Sequence, residues 1–467
     1  MFNFTASYTD LYQLTMAQAY FFHGQKDNIA VFDYFFRKLP FDGGYAVFAG
    51  LEDVLEILQD FRFDKRDLEF LREKGFQPEF IKFLEHFRFT GTIYSSQEGD
   101  VVFPVRPILQ VEAKIIEAQI VETMILNILN FQTLIATKAS RMRLAAGQNT
   151  LIDFGLRRAQ GPGGYYASRA CMIGGFNATS NVAAGRDYNI PVSGTMAHSY
   201  IESFDDELEA FSHFAEGQPD GCVLLVDTYD TLNSGLPNAI LTAKMMEKKG
   251  HRLLGIRLDS GDLAYLSKKC REMLDQSGLD YVRIAASNQL DEHIIKSLLE
   301  QQAPIDVFGV GTSLVTGAPD AALDGVYKLA FSGGKPRIKI SENVKKITLP
   351  HRKQVFRVLD NDGRFAGADV IALDTETDMD IMYHPLFPDK SLAIGCKIKE
   401  PLLHKIMEGG KRSVPQSSLA DIARYSAERL RLLPDEFKRF NYPHVYKVGL
   451  SEKLRNERDR LMAEYKD

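Results

Sequence analysis

Between residues 148 and 345 the chain repeats one rhythm: a short apolar run, a polar loop, a stretch of helical composition, then another apolar run. The runs are Leu151-Ile152-Asp153-Phe154, Val192-Ser193-Gly194, Val223–Val226, Leu253–Leu258, Val282–Ala286 and Asp306–Val310. Few architectures accommodate this. Short apolar strands alternating with helices form parallel βαβ units, because each crossover helix covers a sheet face that is apolar on both sides. The fold expected is α/β, with an irregular α/β barrel of parallel strands at its centre.

Two blocks flank the barrel, so the domains expected are 1–147, 148–349 and 350–467. The first is an N-terminal α+β domain, mixing helical segments (Asp10–Phe22, Gly50–Phe61, Asp67–Lys74, Pro78–Phe87) with β-rich stretches (Ile29–Arg37, Thr92–Val102). A long helix from Val111 to about Ala146 closes it, and its last-turn cations Lys138, Arg141 and Arg143 suit the negative end of the helix dipole. The third block is a C-terminal extension with strands around Gln354–Leu359 and charged helices at Ser418–Leu432 and Ser451–Tyr465.

Composition excludes several classes. With 467 residues, 45% hydrophobic and 25% charged, the chain has the balance of an ordinary globular protein. Its net charge of −6 argues against a broad nucleic-acid surface. The four cysteines, Cys171, Cys222, Cys270 and Cys396, lie far apart without a C-x-x-C pair, which suits a reducing compartment. The opening segment MFNFTASYTDLYQL has no basic start followed by a cleavage site, and the apolar stretch Ile116–Ala136 is broken by Glu117, Gln119, Glu122, Asn127 and Asn130. A cytoplasmic protein without membrane or nucleic-acid partners is expected.

The residues that follow the apolar runs carry the functional signal. They are Gly155-Leu156-Arg157-Arg158 with a Gly-rich continuation, Thr195-Met196-Ala197-His198-Ser199, Asp227-Thr228-Tyr229-Asp230-Thr231, Asp259-Ser260-Gly261-Asp262, Ser287-Asn288 and Gly309-Val310-Gly311-Thr312-Ser313. In parallel α/β folds the carboxyl ends of the strands open on one face and their loops build the active site. Turn chemistry accounts for one or two Asp or Gly residues at such ends, not for six loops carrying this mixture.

His198 at a strand end has the chemistry of a nucleophile or general base. Arg157 and Arg158, on flexible backbone, suit a phosphate or carboxylate. Arg257 stands inside an apolar strand and needs an anionic partner, either a neighbouring acid or a ligand. Asp259 could hold Mg²⁺ or ribose hydroxyls, and Asp262 could do the same or cap the next helix. Gly309, Gly311, Thr312 and Ser313 have the composition of a phosphate-cradling turn. There is neither a Walker loop nor a complete G-x-G-x-x-G fingerprint.

Taken in order, Asp10-Leu11-Tyr12-Gln13-Leu14-Thr15-Met16, Phe154-Gly155-Leu156-Arg157-Arg158-Ala159-Gln160-Gly161, Gly194-Thr195-Met196-Ala197-His198-Ser199, Arg257-Leu258-Asp259-Ser260-Gly261-Asp262-Leu263 and Gly309-Val310-Gly311-Thr312-Ser313 resemble the motifs of the nicotinate phosphoribosyltransferases, a type II phosphoribosyltransferase family. Gly325-Val326-Tyr327-Lys328-Leu329 and the tail Pro443–Ser451 fit the same family, so the resemblance spans nearly the whole chain. It implies a homodimer that joins nicotinate to 5-phosphoribosyl 1-diphosphate, giving nicotinate mononucleotide and diphosphate with Mg²⁺ and coupled ATP hydrolysis, the entry step of NAD synthesis from nicotinic acid.

By that resemblance His198 is the histidine that ATP phosphorylates. Tyr12 reaches across the dimer to stack on the pyridine, with Phe154 on its other face. Thr195, Arg257 and Thr312 contact substrate, Arg157 addresses the carboxylate or the diphosphate, and Asp259 binds ribose hydroxyls or Mg²⁺. Ser180, in Phe176-Asn177-Ala178-Thr179-Ser180, aligns with an aspartate of the related nicotinamide enzyme. A carboxylate there would repel nicotinate, whereas a hydroxyl donates to it. The alternatives are a nicotinamide or quinolinate phosphoribosyltransferase, or a catalytically silent binding relative. A barrel aldolase would need a strand-end lysine, and the strand-end loops hold none.

Overall fold

Parallel pairing joins the apolar runs of the central block. A computed structural model describes residues 4–343, 346–387 and 389–465. The chain divides into two units: Lys138–Ala321, and a second that unites Met1–Thr137 with Ala322–Asp467. Most of the first sequence block and all of the third thus fall in one compact unit, together with residues 322–349 of the second, and one dividing point falls inside the helix Glu122–Ala146.

In Lys138–Ala321 the strands are β1 (Thr150–Asp153), β2 (Ala178–Thr179), β3 (Val223–Leu225), β4 (Gly255–Leu258), β5 (Arg283–Ala286) and β6 (Val307–Val310). They form one sheet in the order β2-β1-β6-β5-β4-β3, and every pair is parallel. The register aligns the strand ends. Asp153 stands opposite both Thr179 and Val310, and Leu258 opposite Ala286. Phe154, Ser180 and Gly311 therefore leave neighbouring strands at the same level, as do Asp259 and Ser287.

One expected strand is absent. Val192–Gly194 contributes only a single parallel bridge, Val192 to Thr179. Its backbone ties to Thr179 through Pro191 O and Ser193 N alone, because Pro191 has no N–H to extend the ladder. The sheet position belongs instead to β2, two residues hidden among turn-forming neighbours.

Helices Leu263–Gln276 and Glu292–Glu300 are capped by Asp262, which accepts from Tyr265 N, and Asp291, which accepts from His293 N and Ile294 N. Asp262 is accordingly a cap. Lys138 and Arg141 are not dipole-facing surface cations either. They are buried against Glu292, at 2.6 and 2.9 Å.

The other unit holds two large sheets and a two-stranded one, Ala46–Val47 with Val101–Val102. A seven-stranded antiparallel sheet is centred on Ile29–Phe36, which pairs with Gly325–Ser332 on one side and Leu109–Lys114 on the other. That last strand occupies what the sequence pattern assigned to the start of a long helix. Val111 and Ala113 face the core while Glu112 and Lys114 point outward, a period of two. Helix begins only at Ile115. The segment Ile115–Ala146 is long and apolar enough to cross a membrane by length and composition, yet its side chains Ile116, Ile120, Met124, Ile125 and Leu129 are packed in the core. A six-stranded sheet built on Lys353–Leu359 and Phe365–Leu373 completes this unit.

Candidate active site

At the carboxyl end of the parallel sheet lies a cavity of about 890 Å³. Its walls include Phe154, Arg157, Arg158, Ser180, Thr195, Arg257, Asp259, Ser287, Asn288, Gly309, Gly311, Thr312 and Ser313. Residues from β1, β2, β4, β5 and β6, together with the Gly194–Ala197 loop, thus meet in one place. Two predicted site residues are placed otherwise. His198 sits beside the cavity rather than in its wall, within reach of Asp259. Tyr12 is an exposed residue of helix Leu11–Phe22 in the other unit.

Glycine shapes the aromatic wall. The Phe154 ring lies against Gly309, where a Cβ would come to 2.4 Å from Phe154 Cε2. The loop beyond it is held by similar close packing, since a Cβ on Gly155 would reach 2.0 Å from Val315 Cγ1. Gly309 therefore has a packing reason to be glycine within β6, ahead of the turn formed by Gly311, Thr312 and Ser313.

Arg257 is carried by β4 and stays partly buried. Its Nη1 donates to Thr195 Oγ1, while Nε is buried with no hydrogen-bond partner. Burial pushes the guanidinium down from its ordinary value, and the nearby carboxylates of Asp259 and Asp227 oppose that push. The anionic partner that an arginine in an apolar strand requires is thus present through space.

The acidic residues form a linked set. Asp227 Oδ2 accepts from Asp259 N and from Ser260 Oγ, each at 2.7 Å, and Ser287 Oγ donates to Asp259 Oδ1. Asp259 Oδ2 lies 3.9 Å from His198 Nε2, and His198 Nδ1 lies 3.1 Å from Thr228 Oγ1. Asp227, Thr228 and Ser287 belong to the strand-end loops already noted, but residue type alone did not single them out. Their signal was position.

The donor set suits a hard cation held partly by substrate. Asp227 Oδ1 is buried and has no hydrogen-bond partner, and Asp259, partly exposed, stands at the neighbouring strand end. Among the described residues no group of three or more His, Cys, Asp or Glu side chains forms a metal cluster. Mg²⁺, the cation expected, is commonly bound through one or two carboxylates with phosphates and waters filling the remaining positions.

Comparison with known proteins identifies this arrangement. The nicotinate phosphoribosyltransferase (NAPRTase) N-terminal domain profile matches residues 8–130, the NAPRTase family profile residues 150–362 and the C-terminal domain profile residues 352–458. Nicotinate phosphoribosyltransferase of Bacillus subtilis is 46% identical over 457 residues, covering 95% of this chain and 92% of that protein. A nicotinate phosphoribosyltransferase of Mycobacterium tuberculosis is 42% identical, covering 98% of this chain and 94% of that protein. The crystal structure of human nicotinic acid phosphoribosyltransferase superposes with a TM-score of 0.87 at 32% identity, covering 97% of this chain and 99% of that one. Likeness of this extent, over the flanking segments as well as the cavity-bearing sheet, makes the chain a member of the nicotinate phosphoribosyltransferase family.

Proposed function

We propose that this protein condenses nicotinate with 5-phosphoribosyl 1-diphosphate, releasing nicotinate mononucleotide and diphosphate, and that ATP hydrolysis is coupled to the reaction through His198. The observation that carries this reading is the convergence of an aromatic wall, the guanidinium groups of Arg157 and Arg257 and a Gly-Thr-Ser turn on one cavity. The pyridine lies against Phe154, its carboxylate within reach of Ser180 Oγ and of Arg157. The pyridine nitrogen attacks C1 of the ribose as the C1–O bond to diphosphate breaks, through an oxocarbenium-like state. The guanidinium of Arg257 and the backbone of Gly311–Ser313 receive the departing negative charge. Asp227 and Asp259 would hold Mg²⁺, which neutralises the diphosphate when bound.

His198 is placed for a second task. With Nδ1 engaged by Thr228 and a carboxylate beside Nε2, the imidazole is oriented at the cavity margin. ATP transfers its γ-phosphoryl group to this ring, ADP leaves, and hydrolysis of the phosphohistidine after ribosyl transfer resets the enzyme. The working assembly is a cytoplasmic homodimer in which Tyr12 of one subunit covers the pyridine in the other. An assay of nicotinate, nicotinamide and quinolinate side by side, with 5-phosphoribosyl 1-diphosphate and Mg²⁺ and with or without ATP, tests the reading. Nicotinate should be strongly preferred and ATP should stimulate turnover. Preference for another pyridine, or no mononucleotide from any of them, would overturn it.

A further inference from the structure

Directly before Phe154 in the chain lies a buried carboxylate that no step above employs. Asp153, the last residue of β1, is 1% exposed, and no cation pairs with it among the described residues. Its Oδ1 accepts from Gly155 N at 2.8 Å, and its Oδ2 accepts from Ser168 Oγ and Thr179 Oγ1, both at 2.7 Å. Asp153 O also accepts from Ser180 N at 2.8 Å. Thr179 Oγ1 in turn receives Asn181 N at 3.0 Å, and Asn181 Nδ2 reaches Ser168 Oγ at 3.3 Å. Burial raises the carboxyl above its ordinary value, against the hydrogen bonds from Ser168, Gly155 and Thr179 that favour the anion.

A buried, unpaired carboxylate is expensive, and a chain that needed only a filled core would place an apolar residue there. What the group accomplishes is geometric. Phe154 and Gly155 follow it directly, and Ser180 follows Thr179, so one side chain fixes the two strand ends that present the aromatic wall and the hydroxyl. Helix Gly163–Ile173 is tied to both through Ser168.

We infer that Asp153, acting through Thr179 and Gly155, is a positioning residue for pyridine recognition: it sets the separation between the Phe154 ring and the Ser180 hydroxyl, and with it the selectivity for a carboxylate-bearing ring. The inference rests on the assignment of Phe154 and Ser180 to the pyridine. It distinguishes Asp153 from a residue that merely stabilises the fold, because loosening the lattice should harm one substrate and not the other. Nicotinate meets both strand ends, whereas 5-phosphoribosyl 1-diphosphate is held by Arg257 and the Gly311–Ser313 turn.

The test uses the full-length enzyme with Thr179→Val, which removes the hydroxyl at nearly constant volume, Thr179→Ser, which restores it, and Asp153→Asn. Steady-state KM is measured separately for nicotinate and for 5-phosphoribosyl 1-diphosphate, along with the nicotinate-to-nicotinamide ratio of kcat/KM. Expected for Thr179→Val and Asp153→Asn is a rise in nicotinate KM of about tenfold and a lower selectivity ratio, with the other KM within about twofold and Thr179→Ser near wild type, one hydrogen bond to a charged group being of that order. Equal shifts in both KM values, or an unchanged nicotinate KM in folded Thr179→Val, would overturn the inference. Phe154→Ala and Ser180→Ala run alongside. If neither alters nicotinate KM, the pyridine assignment itself falls and takes this inference with it. If both do while Thr179→Val does not, only the inference falls.

Discussion

His198 Nε2 lies 3.9 Å from Asp259 Oδ2, a separation too long for a hydrogen bond. The carboxylate therefore leaves Nε2 free of a hydrogen bond and open to attack on phosphorus. A histidine with that environment is suited to accept and release a phosphoryl group, and its removal should separate the two half-reactions.

His198→Ala is accordingly expected to abolish incorporation of acid-labile, base-stable phosphate from γ-labelled ATP and to remove ATP stimulation of turnover. Ribosyl transfer at high substrate concentration should persist, because Arg257, Phe154 and the Gly311–Ser313 turn are untouched. Labelling followed by acid and base treatment, with rates measured with and without ATP, checks both parts. Equal ATP stimulation in variant and wild type would remove His198 from this role.

Much of this site was legible before coordinates. Each polar loop that follows an apolar run opens on the same edge, since a parallel sheet leaves no alternative, and Phe154, Arg157, Thr195, Arg257, Asp259 and Thr312 all reach the cavity wall. What escaped was non-local or very short. The strand Ala178–Thr179 is two residues long and sits among Asn and Ser, so no periodicity marks it. Leu109–Lys114 contains Glu, Ala and Lys, good helix formers that only the tertiary pairing with Ile29–Phe36 turns into strand. The union of the first and last blocks depends on His404–Glu408 pairing with Thr92–Ser95, a register that joins residues about three hundred positions apart and leaves no trace in local composition. Asp153 reads as a polar interruption of an apolar run until its three donors are seen.

Gly309→Ala tests the packing explanation for that glycine. The new Cβ would overlap the Phe154 ring, with Cε2 at 2.4 Å and Cδ2 at 2.5 Å, so the ring must swing toward the cavity. Overpacking of this kind costs about 1–3 kcal/mol. The expected outcome is a lower urea midpoint together with a higher KM for nicotinate, read by denaturation and by steady-state kinetics. A variant with wild-type stability and KM would show that the ring has room elsewhere.

Acid sensitivity should concentrate on a buried ionic network in the larger unit. Asp100 Oδ1 accepts from Arg357 Nη1 and Arg429 Nε, each at 2.8 Å, while Asp369 accepts from Arg357 Nε at 3.1 Å and Tyr446 OH at 2.7 Å. Burial alone would raise the Asp100 carboxyl, but Arg357, Arg429 and Arg106 together hold it below its ordinary value. A depressed carboxyl contributes its stability in full above the unfolded-state value, about 3.9, and loses it as pH falls through the lower folded-state value. Urea unfolding followed from pH 7 to pH 3 should therefore show the midpoint falling below about pH 4–5. Asp100→Asn should lower stability at pH 7 by about 3–5 kcal/mol, because two guanidinium groups lose their shared anion, and should flatten the acid slope. An unchanged slope would mean that other carboxylates govern acid unfolding.

The placement of Tyr12 gives the test of assembly. It is 51% exposed on helix Leu11–Phe22, and Leu11 beside it is 62% exposed, so an aromatic and an aliphatic side chain each leave half or more of their surface uncovered. If Tyr12 serves the partner's pyridine site, a Tyr12→Ala subunit and an Arg257→Ala subunit are each inactive as homodimers but complement one another. In a twofold dimer, each heterodimer then gathers both defects into one site and leaves the other intact. Random reassortment makes about half of the dimers heterodimers, so a mixture of the two variants should recover about a quarter of wild-type activity. Tyr12 acting within its own subunit predicts none, since every site would then carry one defect or the other. Activity measured after co-expression, or after mixing and reassortment, decides between these outcomes, and recovery that scales with the heterodimer fraction places the tyrosine across the interface.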